Sequence, residues 1–269
     1  MKVFHIALAA ALLLPAVAPA AQQTTNRRPA QNDNKETVKM YEPYKQYSQA
    51  DNDRILKLYE NLRVADVSDG MDVVGLAGVG IVSPEIKALW RDTDNFTHRI
   101  VGVAVTCRYV PTNKREPKMD PADISRWYRE LTSEAFMSAL HPGSVLVIDG
   151  DEDGDTRSIG SSNIKAWVKR GARGVVTSGG VGDTDEIIHQ RIPVYYRRLG
   201  RGLRPGRNEL ESVNRPVTIG GVQVRPGDVV IADGDGVAVV PREHAEEVAK
   251  ASMQFLDNIG LERMKATKK

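Results

Sequence analysis

Residues 157–193 read RSIGSSNIKAWVKRGARGVVTSGGVGDTDEIIHQRIP. Gly160-Ser161-Ser162-Asn163 can turn tightly and cap a helix, and Ile164, Trp167 and Val168 then recur at the i, i+3, i+4 spacing of one buried face. Gly171 supplies a stop, and Gly174-Val175-Val176-Thr177 predicts a short buried strand. That strand empties into Gly179-Gly180-Val181-Gly182 and an acidic run, Asp183, Asp185 and Glu186. A helix N-terminus would then face the glycine-rich end of a strand across an anion-sized space, where backbone N–H groups favour carboxylate or phosphate. Asp183 could hold a hard cation beside it. A plain strand–helix crossover with polar loops fits the same residues about as well.

On the N-terminal side of this stretch, residues 123–140 predict a long helix with Ile124, Trp127, Leu131 and Ala135 inside, and residues 99–110 predict a strand. Shorter helices are expected over residues 51–62 and 64–74, the second capped by Asp66 or Ser68. Pro142-Gly143, a five-residue strand and Asp149-Gly150-Asp151 match Pro226-Gly227, a five-residue strand and Asp233-Gly234-Asp235 in pattern. The plainer account of that match is a common way of bracketing a short strand with turns. The acidic turn from Asp149 to Asp155 opens like a calcium loop, but its twelfth position is Gly160 rather than a bidentate glutamate. It reads as a solvated turn. Arg197, Arg198, Arg201, Arg204 and Arg207 lie among glycines without interleaved aromatics, which predicts a solvated excursion. Further strands at residues 216–219, 222–224, 229–232 and 237–240 precede a closing amphipathic helix from Arg242.

At the other end, Lys2 precedes an apolar run from Val3 to Val17, and Ala18-Pro19-Ala20 offers small residues for a signal peptidase. Residues 1–20 are expected to be a signal peptide, 21–43 a polar linker or arm, and 44–269 the folded domain, exported to the periplasm or secreted. No other stretch is apolar enough to span a membrane. The formal charge of +2 gives no reason to expect nucleic acid as a partner. Cys107, the single cysteine of the chain, can form no internal disulfide and sits in an apolar run, as a core residue would. The histidines lack metal-ligand spacing.

The succession HPGSVLVIDGDEDGD, IGSSNIKAWVKRGARGVVTSGGVGDTDEI, IPVYYRR and VQVRPGDVVIADGDGVAVVP resembles the regulator of ribonuclease activity A family, which includes 4-hydroxy-4-methyl-2-oxoglutarate aldolases that also decarboxylate oxaloacetate. The likeness runs from about Val64 to the C-terminus. It implies a compact α/β domain of the β/β/α swivelling type, assembly as a homotrimer, and a small 2-oxo acid bound on a divalent cation, Mg2+ or Mn2+. The family motif is an acidic residue, twenty residues, then Arg-Asp. Here it falls on Ser161, residues 162–181, Gly182 and Asp183. Asp183 matches the metal ligand, and Gly160, Ser161, Ser162 and Asn163 match the amide cradle for the substrate carboxylate. The acidic position is Ser161 and the arginine position is Gly182, so two polar groups of the lyase mechanism are missing. Arg157 is a candidate substitute for the arginine, reaching the space that Gly182 leaves empty. The competing expectation is that Arg157 pairs with Asp153 or Asp155 on the surface. Without a substitute, the resemblance implies a non-catalytic keto-acid or anion binder, or a regulatory trimer.

Overall fold

The computed structural model describes residues 45–150 and 154–255. The expected signal peptide and linker lie outside these residues. The helices are α1 (Gln49–Tyr59), α2 (Val64–Val73), α3 (Pro121–Glu130), α4 (Ser161–Lys169), α5 (Thr184–His189) and α6 (Ala245–Phe255). The strands are β1 (Lys87–Ala88), β2 (Ile100–Pro111), β3 (Ser144–Asp149), β4 (Arg157–Ile159), β5 (Ala172–Val181), β6 (Val194–Leu199), β7 (Asn208–Val213), β8 (Val217–Ile219), β9 (Val222–Val224), β10 (Val229–Asp233) and β11 (Gly236–Val240).

Nine strands form one sheet in the order β1-β6-β5-β3-β2-β10-β11, with β4 on β5 and β7 on β2; β8 and β9 make a separate hairpin. Neighbours among β2, β3, β5 and β6 run parallel, and the flanking β1, β7, β10 and β11 pair antiparallel. One segment joins the two sheet edges. Ile81 bridges Ala238 on β11, Val82 N–H donates to the Val237 carbonyl at 3.1 Å, and Ala88 pairs with Tyr195 on β6. The result is a mixed α/β fold on a nearly closed, barrel-like sheet.

Both faces of this sheet are buried, which explains why its strands read as continuous apolar runs. Side chains alternate by strand geometry. Val145, Val147, Val230, Ala232, Val237 and Val239 pack with the β8–β9 hairpin in one core. Leu146 and Ile148 face a second core with Trp167 and Ile187, while Val229, Ile231, Ala238 and Val240 face a third beneath α1, α2 and α6. Cys107 is fully buried in the second core, as its apolar run predicted.

Three readings of the sequence need correction. The long helix expected over 123–140 breaks after Glu130 and resumes only as a 3-10 turn, Ala135–Ser138. Trp127 donates its indole N–H to the Asn208 carbonyl at 3.0 Å, and Phe136 stacks edge-on against Trp167. Nine residues along one helix turn through about 900°, so a continuous helix would aim these two rings in opposite directions. The Leu131 carbonyl at the break also accepts from Leu210 N–H on β7 at 2.7 Å. Secondly, β5 does not end at Thr177 but runs through the glycines to Val181. A Cβ on Gly180 would lie 2.1 Å from the Thr156 carbonyl oxygen, so glycine there permits a close backbone approach. Thirdly, the arginine run is only partly solvated: Arg201 and Arg207 are exposed, whereas Arg204 is almost fully buried. The matched Pro-Gly brackets do share one device: Gly143 (φ 85°) and Gly227 (φ 96°) take the left-handed turn before β3 and β10. The strands themselves differ, β3 being parallel and β10 antiparallel to β2.

Candidate functional site

The exits of β4 and β5 lie side by side, tied by Gly182 N–H to the Ile159 carbonyl at 3.0 Å. From the first exit the chain passes through extended Gly160 into α4. From the second it passes through Gly182 to Asp183, which is left-handed at φ 51° and caps the short α5. Aspartate tolerates that conformation better than most residues. Its carboxylate is thereby directed across to α4, where Oδ2 accepts the Ser161 N–H at 3.1 Å. A Cβ on Gly160 would come within 2.8 Å of that oxygen. The helix N-terminus and the glycine-rich strand end therefore do face one another.

Arg157 completes the arrangement. Its Nη1 donates to Asp183 Oδ1 at 2.7 Å, with the two side chains 34% and 31% exposed. Its stem crosses Gly182: a Cβ there would meet Arg157 Cδ at 2.2 Å and Cγ at 2.7 Å. The backbone of Arg157 is held by its N–H donating to the Gly202 carbonyl at 2.8 Å and by its place opposite Gly180 on β5. The guanidinium thus extends from the glycine gap to the aspartate. The competing pairing with Asp155 does not occur, because Asp155 is engaged by Arg201, whose Nε lies 3.0 Å from Oδ1. Those hydrogen bonds from Arg201 hold the Asp155 carboxyl below its ordinary range. Asp153 is outside the described residues.

The arginine run straps the turn that leads into Arg157. Arg198 donates to the carbonyls of Gly150 (2.7 Å) and Gly154 (3.1 Å), and Arg201 holds Asp155. Arg204 is almost fully buried, donating to Ser158 O and to the Tyr109 hydroxyl (3.0 Å) and lying over the Tyr109 ring. Proximity in sequence did not disclose these contacts, since α4, β5 and α5 lie between residues 150–158 and the arginines that hold them.

Among the remaining predicted residues, Ser161 is buried and its hydroxyl donates to Glu186 Oε2 on α5. Ser162 and Asn163 are exposed on the first turn of α4. The Asn163 side-chain amide donates to Glu134, whose other oxygen accepts the Trp167 indole N–H at 2.9 Å. Glu186 and Glu134 were not singled out by sequence reasoning. Glu186 lay in the noted acidic run, three residues after Asp183, but Glu134 falls at the helix break that the periodicity concealed.

The donor set does not fit the divalent cation that the resemblance places on Asp183. One oxygen of that carboxylate faces a guanidinium and the other an N–H group of a positive helix terminus. Hard cations require several oxygen ligands. Among the described residues no group of three or more His, Cys, Asp or Glu side chains could supply them, so with water filling the remaining positions the fit turns on the Asp183 carboxylate, which Arg157 already occupies.

Fold and site together define a mixed α/β protein with a charged, amide-lined niche where two parallel strands end. The chain belongs to the RraA-like family, whose model, Aldolase/RraA, matches residues 64–239. It is 27% identical over 201 residues to Protein DlpA of Legionella pneumophila, covering 74% of this chain but 29% of that protein. It is 33% identical over 168 residues to a protein of Halalkalibacterium halodurans named "Putative 4-hydroxy-4-methyl-2-oxoglutarate aldolase", covering 59% of this chain and 77% of that one. The solved structure of Streptomyces coelicolor RraAS2, titled an unusual member of the RNase ES inhibitor RraA protein family, superposes with a TM-score of 0.64 at 20% identity. That match covers 82% of this chain and all of the other, and establishes the fold alone.

Proposed function

We propose that the niche binds a small 2-oxo acid and that the chain acts on it as a lyase of the aldolase/decarboxylase class, on the swivelling-type scaffold of its family. The observation that carries this reading is the Arg157 guanidinium, partly exposed, lying on Asp183 beside the first turn of α4. The free N–H groups of a helix's first turn suit the substrate carboxylate, and Ser162 and Asn163 occupy that turn. Arg157 then serves the keto oxygen. In oxaloacetate the bond from C3 to the C4 carboxylate breaks, carbon dioxide leaves, and the electron pair moves onto the C2 oxygen. The resulting enolate takes a proton at C3 to give pyruvate. In a 4-hydroxy-2-oxo acid the C3–C4 bond breaks instead, as the 4-hydroxyl loses its proton and C4 departs as a carbonyl. Both routes place negative charge on one oxygen, and a preorganised donor there is typically worth about 100–1,000-fold in rate. In both routes Arg157 supplies the compensating positive charge in place of Mg2+ or Mn2+.

The test is pyruvate release from each substrate, with Mg2+ or Mn2+ and with chelator. Arg157→Ala should lower turnover by more than about tenfold. A second reading, a non-catalytic 2-oxo acid binder, is favoured by Ser161 and Gly182 at the two departed positions. Binding without turnover by the parent would select it. Export and trimeric assembly belong to the same proposal. Intact residues 1–20 on the native protein would refute export, and a monomeric mass by light scattering would refute the trimer.

A further inference from the structure

Extending that reading, we infer that Arg157 occupies the cation position at Asp183, so that this site excludes a divalent metal ion while Arg157 is in place. Three independent features build the substitution into the chain. The guanidinium lies 2.7 Å from Asp183 Oδ1, where a metal bound to that oxygen would meet a positive charge. The other oxygen accepts the Ser161 N–H, which likewise points positive charge at the carboxylate. Gly182 has no side chain, and any Cβ there would collide with the Arg157 stem, so the backbone leaves room for this arginine in this place. Around the guanidinium the acids are already committed: Glu186 receives the Ser161 hydroxyl, and Asp155 receives Arg201. A guanidinium offers five N–H donors in a planar fork. After one donates to Asp183, the others suit the carboxylate or enolate oxygens of a 2-oxo acid without an intervening ion.

The substitution has a corollary. Asp183 and Glu186 both touch Ser161. Removal of Arg157 leaves two carboxylates close together with one counter-charge lost, and a hard cation is expected to enter. The experiment is a titration of Mn2+ alone, followed by the electron paramagnetic resonance of free Mn2+, into chelator-treated full-length protein. Wild type should show no stoichiometric site. Arg157→Ala should gain one Mn2+ per chain, bound at least about tenfold more tightly than by wild type, and Asp183→Asn in that background should abolish it. Arg157→Lys, which keeps the charge, should remain metal-free and guards against a folding defect in the alanine variant. One Mn2+ per wild-type chain lost in Asp183→Asn would overturn the inference. So would Arg157→Ala failing to gain Mn2+ while circular dichroism shows it folded, because the arginine would then not be what excludes the ion. Oxalate, an analogue of the pyruvate enolate, supplies the separate arm: equal oxalate affinity with chelator and with Mg2+ supports the inference, and a requirement for Mg2+ overturns it. Absence of oxalate binding under every condition sinks the 2-oxo acid reading, while the Mn2+ titration still decides the role of Arg157.

Discussion

Gly182→Ala is expected to disable the site while leaving the chain folded. The added methyl would sit 2.2 Å from Arg157 Cδ, 2.7 Å from Arg157 Cγ and 2.9 Å from the Gly200 carbonyl oxygen. Carbon atoms prefer separations of about 3.5–4.0 Å, so the Arg157 stem must leave. The Gly200 carbonyl belongs to a backbone whose N–H is bonded to the Val181 carbonyl at 3.0 Å, and it has little freedom to retreat. Two costs follow. Loss of the Arg157–Asp183 pair, about one-third exposed on both sides, is worth at most about 1 kcal/mol of stability. The residual crowding against Gly200 adds about 1–3 kcal/mol, the usual range for overpacking. A domain of this size loses about 2–4 °C of melting temperature per kcal/mol, so a total of about 1–4 kcal/mol predicts a fall of roughly 2–16 °C. The functional loss is larger, because a displaced guanidinium no longer faces the substrate: about 100-fold or more in pyruvate release. Differential scanning fluorimetry and the coupled pyruvate assay read the two effects separately. A melting temperature within about 1 °C of wild type, together with unchanged turnover or oxalate affinity, would refute the placement of the Arg157 stem over Gly182.

Three further outcomes test other parts of the structure. Glu134→Ala leaves the buried Trp167 indole N–H without its acceptor and should cost about 1–3 kcal/mol in urea unfolding; an unchanged midpoint would show that the contact contributes nothing. Gly180→Ala drives a methyl to 2.1 Å from the Thr156 carbonyl oxygen and 2.8 Å from Gly200 Cα, so it should destabilise by about 2–3 kcal/mol or more, with limited proteolysis detecting a loosened β4. Burial raises the Asp228 carboxyl to about 6 from its ordinary 3.8, against the pull of the Arg225 and Arg242 N–H groups. Between those values the native chain binds more protons than the unfolded one, so stability from this group falls as pH rises from about 4 to 6, by up to about 3 kcal/mol, and is flat above. The decline in unfolding free energy across that window should be shallower in Asp228→Asn than in wild type; parallel curves would contradict the assignment.

The elements were legible where periodicity is simple and local. The apolar runs at Ile100–Pro111, Ser144–Asp149 and Val229–Asp233 became strands because both faces of a nearly closed sheet demand apolar side chains. The helix break after Glu130 was not legible, since the requirement that Trp127 and Phe136 face different partners comes from β7 and α4 rather than from the helix itself. At the site, Asp183 and the first turn of α4 could be placed by motif, and the gap at Gly182 could be noticed. What fills that gap could not be fixed, because Arg157 had both the space at Gly182 and the acidic residues Asp153 and Asp155 within reach in sequence; in the fold Arg201 engages Asp155 while Arg157 lies on Asp183. The strap formed by the arginine run was hidden for the same reason. Its acceptors are mostly backbone carbonyls of the 150–158 region, which carry no side-chain signal at all.

The segment from Ile81 to Ala88 touches β11 at one end and β6 at the other. Sheet edges left bare are templates for pairing with other chains, and here one short stretch of loop covers both. That makes it the zip fastener of the domain. A single cut between Ser83 and Lys87 would leave each rim covered only by a loose end, Ile81–Val82 on β11 and Lys87–Ala88 on β6, and fraying of those ends would bare both edges, so a nicked chain should self-associate. Tolerance of insertion is ordinarily highest in loops. This loop is the place to expect the reverse, and a circular permutant opened there would begin life with the very edges that the native connection conceals.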